Sequence, residues 1–199
     1  MKRVAAHAML VCLFCFTLTL GSGNPSVVAS AQQAPQLSVG YLHQDSRLTF
    51  GGGRFGMNGG RADLLLPVTR RLGLVGEFSG VHTGSVPLSG TGLTLVTYMA
   101  GPRLWLPIHR QETSRIVPFA QVLMGGVHGS QGAFPNNPSL YSTGNAFALA
   151  AGAGLQVSLN RRVSLRAIQT EYLYSRLPNS LDNYQNNVRI GAGMVLRLR

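Results

Sequence analysis

Three histidines, His43, His82 and His128, each close a run of alternating apolar and polar residues. Each has a serine within reach along the chain or on a neighbouring run: Ser46, Ser79 and Ser130. Imidazole takes up a proton near neutral pH, so a histidine and serine pair is the raw material of an acyl-transfer site, with the hydroxyl as nucleophile. A base must lie within ~3 Å of the hydroxyl it activates. The three histidines fall on the first, third and fifth runs, which are not neighbours in a sheet built in chain order. The reading set against catalysis is histidine at a water–lipid boundary. The chain is therefore expected to have no catalytic residue, no metal site and no cofactor, with a rim-histidine lipid-modifying enzyme as the alternative.

Two other segments invite a chemical reading. "GGGRFGMNGG" (51–60) is glycine-rich, yet it lacks the Lys-Ser/Thr of a phosphate loop and precedes no helix; the expectation is an outer loop leading into a strand. "QETSR" (111–115) reads as a solvated turn. The charges that matter more are isolated ones: Arg61, Asp63, Glu77, Arg103, Arg166, Glu171 and Arg189 each interrupt an otherwise apolar or small-residue run. Arginine beside carboxylate in a buried setting is expected to pair, because an unpaired buried charge is costly.

What positions these residues follows from composition and pattern. The chain has 199 residues, enough for one domain. Lys2 and Arg3 precede an apolar run, Ala8 to Leu20, and "Ala29-Ser30-Ala31" offers a small-x-small cleavage site. Residues 1–31 are expected to be a secretory signal peptide and 32–199 the folded domain, with an uncleaved N-terminal anchor as the alternative. Cys12, Cys15 and Lys2 all lie in that first segment, so the remainder has no thiol and draws its side-chain cations from fifteen arginines, against six acids. Such a surplus can signal nucleic-acid binding, but these arginines form no patch and an exported chain rarely meets nucleic acid.

After residue 31 no stretch reaches the roughly eighteen apolar residues of a membrane helix. Instead, eight alternating segments recur between Gly/Pro/Asn/Ser/Arg clusters, the signature of strands. They are about 36–43, 58–68, 72–82, 93–106, 116–128, 146–160, 163–174 and 188–199. Pro102 in the fourth predicts a bulge. The seventh changes phase between Leu165 and Ile168, which predicts a bulge near Ala167. The facing of the fifth stays open. Short basic connections, "VTRRLG", a segment around "HRQETSR" and "NRR", alternate with long uncharged ones, "HTGSVPLSGTG" and "HGSQGAFPNNPSLYSTGN".

The segment "AFALAAGAGLQVSLN" (146–160) shows what such alternation is for. Its odd positions are apolar and its even positions small or polar. In a soluble sandwich or lipocalin-like barrel, the competing reading, the solvent side should be charged. Small residues with a few large polar ones suit the crowded interior of a narrow barrel, leaving the apolar edge to face lipid. An arginine facing the mid-bilayer costs roughly 2–4 kcal/mol, and Arg61, Arg103, Arg166, Arg189 and Arg197 can all be turned inward in register. Trp105 and Phe119 at one end, with Tyr41 and Tyr174 at the other, are expected to form interfacial girdles. The fold expected is all-β, an eight-stranded antiparallel up-and-down transmembrane barrel in the cell outer membrane.

The last third, "GNAFALAAGAGLQVSLNRRVSLRAIQTEYLYSRL" followed by "QNNVRIGAGMVLRLR", with "YMAGPRL" and "VPFAQVLMGG" earlier, resembles the small outer-membrane β-barrel family related to the barrel of outer-membrane protein A, a porin-like domain. The resemblance covers the chain from about Leu37 onward. It implies a monomer with no common enzymatic activity, in contact with outer-membrane lipid and lipopolysaccharide. It also implies an assembly signal for the barrel-insertion machinery at Gly193, Leu196 and Leu198, although the terminal aromatic usual in such a signal is replaced by Leu198-Arg199. The role implied is structural or at the surface: membrane integrity, adhesion, or a narrow pore at most.

Overall fold

The computed structural model describes residues 34–47, 53–87, 90–106, 116–132, 142–177 and 184–198. The expected signal peptide and the "QETSR" turn lie outside these residues. Eight strands follow one another: β1 (Gln36–Arg47), β2 (Arg54–Pro67), β3 (Leu72–Thr83), β4 (Leu93–Trp105), β5 (Ile116–Gly132), β6 (Ser142–Ser158), β7 (Val163–Ser175) and β8 (Gln185–Arg197). Each pairs antiparallel with the next, and β8 pairs with β1, so the sheet closes into a barrel. Closure leaves no strand with an unpaired edge.

The faces follow from parity. Side chains alternate across a strand, and in β6 Phe147, Leu149 and Leu155 are exposed while Ala148, Ala150 and Gln156 are buried. The same alternation puts Leu64, Leu66, Leu74, Phe78, Tyr98, Leu165, Tyr172, Ile190 and Met194 on the outside. Inside, charged and apolar residues divide the barrel between them. Arg61, Asp63, Glu77, Arg103, Arg166, Glu171 and Arg189 are all buried. Leu42, Met57, Val81, Leu95, Leu123, Val127 and Leu173, toward the end away from the β2–β3 and β6–β7 turns, belong to one buried apolar cluster that also takes in Leu65 and Val75 beside the β2–β3 turn. The interior is thus partly polar and partly a hydrocarbon cap.

Strand β5, left open by the sequence, is fixed here: Phe119, Gln121, Leu123 and Val127 point in, and Val122 and Met124 point out. In β7 the register slips between Arg166 and Gln169 against β8, and at the same level against β6, so the extra residue sits at Ala167. The bulge expected at Pro102 is absent. Ala100 pairs with Met124 and Arg103 with Gln121, one constant register, and Pro102 pairs with Leu74 on its other side. Its ring points outward, where the strand carries it without an added residue.

The glycine-rich segment is also not a loop from Arg54 on. Arg47↔Arg54 through Tyr41↔Gly60 are paired residues of β1 and β2. Glycine is what lets the backbones close up there: a Cβ on Gly59 would stand 1.8 Å from the Gly80 carbonyl oxygen. Likewise β5 and β6 run 17 residues each, absorbing both ends of the long connection expected between them. The β4–β5 connection, expected to be short, spans 106–115.

Candidate functional site: the charge network inside the barrel

Four strands supply the guanidiniums and three the carboxylates. Asp63 of β2 accepts from Arg166 of β7 through both oxygens, at 2.6 and 3.1 Å, and lies 3.5 Å from Arg103 of β4. The Ser38 hydroxyl of β1 donates to the same carboxylate. Arg61 reaches Glu171 at 2.8 Å and Glu77 at 3.5 Å. Arg189 lies 3.8 Å from Glu77 and donates to Gln44 at 2.9 Å, Ser79 at 3.4 Å and Thr97 at 3.3 Å. Glu171 also accepts from Gln121 and Gln169, each at 2.7 Å.

The network ties seven strands, all but β6, together across the barrel axis through residues distant in sequence, so it cross-braces a structure whose backbone bonds run only between neighbours. Four arginines face three acids, a surplus of one positive charge inside. Neutral oxygens of Gln44, Ser79, Thr97 and Gln121 accept further guanidinium bonds, while Arg61 Nε, Arg103 Nη2 and Arg166 Nε make none. Bidentate arginine–carboxylate pairs such as Arg166–Asp63 fix geometry as well as charge.

Phe119 and Trp105, expected as outward girdle residues, turn inward. Parity leaves no choice, because Arg103 and Gln121 must face the interior and residues two apart share a face. Phe119 is fully buried, with the Arg103 and Arg166 guanidinium carbons 4.5 and 5.5 Å from its ring centroid. Cation–π attraction of this kind strengthens when the pair is desolvated. Trp105 packs on the interior cluster over Gly73. Tyr41 does face outward, and Tyr174 stacks on Tyr184 with centroids 6.4 Å apart. Arg197 is half-buried at the short-turn end, bonded to Ser158, Ser164 and the Arg161 carbonyl.

The histidines lie on the opposite face of the sheet from two of the serines. His43 is bonded to Asn58 at 2.8 Å, His82 to Thr94 at 2.9 Å and His128 to Asn145 at 2.7 Å. Ser46 and Ser79 are buried inside, bonded to Gln44 and Thr97. Ser130 shares the outer face with His128, but the Nδ1 of that ring is held by Asn145. No histidine–serine hydrogen bond forms among these residues, and no group of three metal ligands exists among the described residues.

Of the assembly residues, Gly193 faces inward and Leu196 and Leu198 outward. A Cβ on Gly193 would stand 2.4 Å from the Val39 oxygen of β1, so the closing seam of the barrel requires glycine there. What the sequence did not reveal in the network are its neutral members. Gln44, Gln121 and Ser38 carry no charge to mark them; their signal is phase alone, shared with the charged inward positions.

By sequence, the chain matches no protein-family model and no curated protein. By structure it is similar to Neisserial surface protein A, with a TM-score of 0.63 at 13% identity over 82% of this chain and 97% of that one. It is also similar to Ail, the attachment invasion locus protein of Yersinia pestis, with a TM-score of 0.53 at 18% identity over 82% of this chain and 99% of that one. Ail solved with the heparin analogue sucrose octasulfate aligns at 0.52 and 17% identity, over the same 82% and 99%. These are small eight-stranded outer-membrane barrels, and the fold is what this chain shares with them.

Proposed function

We propose that this chain is an integral outer-membrane barrel with a structural or surface role and no catalysis. One observation carries the reading: every strand turns large apolar side chains outward, while four arginines and three acids are buried within. In water that distribution leaves a large exposed apolar surface for no gain; in a bilayer it matches hydrocarbon to hydrocarbon and satisfies every backbone group through closure. Short turns then lie on the periplasmic side. Cell fractionation with gel mobility before and after boiling tests this: the protein should partition with the outer membrane and change mobility on heating. Recovery in the soluble periplasmic fraction would overturn it.

A second observation favours a contact role at the cell surface. The first pair between β6 and β7 is Ala148↔Ser175, so Ser142–Phe147 of β6 extend past the β7 ladder while staying paired with β5. The β5–β6 hairpin therefore projects beyond the rim. That is the element we assign to contact with a surface or with lipopolysaccharide, by analogy with Ail, whose name records attachment. Replacing 133–141 with a short Gly-Ser linker should leave insertion and the heat shift intact and lower attachment of cells displaying the protein. Unchanged attachment would remove the hairpin from this role.

A further inference from the structure

Toward the far rim, the end away from the β2–β3 and β6–β7 turns, the outer wall turns from apolar to charged on one side only. On β1 the exposed Val39 and Tyr41 give way to His43, Asp45 and Arg47. Arg54 of β2 lies directly opposite Arg47. On β7, Tyr172 and Tyr174 lead to Arg176, whose N–H still donates to the Phe147 carbonyl of β6 at 3.0 Å, so alternation keeps Arg176 on the outer face. All three arginines are exposed. Over β3 to β6 the corresponding stretch carries His82, Thr94, His128, Ser130 and Asn145, with no arginine and no acid among the described residues.

Among the described residues Asp45 is the only acid on the outer wall. Its carboxylate accepts from Arg54 Nε at 2.7 Å and its carbonyl from Nη2 at 3.3 Å, which fixes that guanidinium beside Arg47. The Arg47 and Arg176 side chains make no hydrogen bond or ion pair among the described residues. Like charges directly opposite on a sheet destabilise it, so the Arg47–Arg54 rung, with one carboxylate for two guanidiniums, favours a further anion. Arg47 and Arg176 flank β8 from its two sides, one residue past the rungs Ser46↔Asn187 and Ser175↔Gln185. Two strand spacings of ~4.8 Å and two residues of ~3.3 Å put their backbones about 12 Å apart. On the strands beside them, Tyr174 and Tyr184 stack with centroids 6.4 Å apart.

We propose that this wall binds the phosphorylated sugar headgroup of a lipopolysaccharide in the surrounding leaflet, with one phosphate against Arg47 and Arg54 and a second against Arg176. This rests on the membrane placement argued above, and it adds a site across the barrel from the β5–β6 hairpin. Two features choose this occupant. The arginines point sideways from paired backbone, just past the exposed apolar positions Tyr41, Tyr172 and Ile190, so they face the headgroup layer of a leaflet and not open water. Two separated cationic points suit a headgroup that carries more than one phosphate, whereas a phosphatidylglycerol carries one.

The test uses protein refolded in detergent micelles, so binding is read whether or not cell fractionation places the protein in the outer membrane. Native mass spectrometry would follow retention of lipid A carrying two phosphates, one or none, with dioleoyl phosphatidylglycerol and soluble heparin as the competing anions. The two-phosphate form should be retained best and the phosphate-free form least. Arg47→Gln and Arg176→Gln should each weaken that retention about fivefold, the size expected for one basic residue at an anionic surface. Arg161→Gln with Arg162→Gln, at the opposite end, should leave it unchanged. Retention that ignores the number of phosphates would overturn the proposal, and so would equal losses from the two arginine pairs. Equal or better binding of phosphatidylglycerol or of heparin would overturn it too, by making the occupant a phospholipid or a free polyanion. The heat shift reports whether each variant has folded; should Arg47→Gln fail it, Arg176→Gln decides.

Discussion

Asp63 holds two guanidiniums at once, Arg166 by two short bonds and Arg103 at 3.5 Å. Asp63→Asn keeps the shape and removes the charge, leaving both arginines buried against a neutral amide. Breaking a buried pair in this way costs about 3–5 kcal/mol, which urea unfolding in lipid vesicles should register. A loss below about 1 kcal/mol, the scale of a single neutral hydrogen bond, would mean that charge pairing does not hold the network. Trp105, the only tryptophan, gives a second residue-scale test. It lies on the inner side of β4 against the apolar cluster, so bromine-labelled acyl chains should quench its emission weakly. Strong quenching would return it to the outer girdle that its place near the strand end suggested.

At the scale of elements, β7 offers the sharpest contrast. Ser164 and Arg166 point in before the bulge, and Gln169 and Glu171 after it. Deleting Ala167 removes the extra residue and leaves strict alternation, with Gln156↔Arg166 and Leu155↔Ile168 still paired. The deletion should insert and show its heat shift like the wild type. Deleting Ala151 from the unbulged β6 should not, because one half of that strand must then turn its apolar side chains inward. This phase change was legible in the sequence because both halves of β7 carry charged or amide residues at the inward positions. The facing of β5 was not, since Phe119, Leu123 and Val127 inside are as apolar as Val122 and Met124 outside. Periodicity fails wherever the interior is itself apolar. The same cause hid the inward turn of Trp105, and glycine's poor strand propensity hid the start of β2.

At the scale of the whole molecule, two features of the described barrel are expected to bar ions. Around the network, seven charged side chains are buried in the interior, and an eight-stranded barrel is just wide enough for its own side chains. Nearer the far rim, Leu42, Met57, Leu95, Leu123 and Leu173 form an apolar cluster with no place for a hydrated ion. A hydrophobic constriction blocks conduction by excluding water, so wild-type protein in planar bilayers should give no current steps. Converting Leu42, Leu95 and Leu173 together to serine keeps the strands and their facing but supplies hydroxyls and space where hydrocarbon stood. Small steps should then appear. Since four arginines and three acids line the interior below the cluster, those steps should favour chloride over potassium, read as the sign of the reversal potential in a salt gradient. Cation preference would show that the surplus arginine charge does not face the path. Steps in the wild type would show that the cap is not a barrier at all, and would return the barrel to the class of narrow pores.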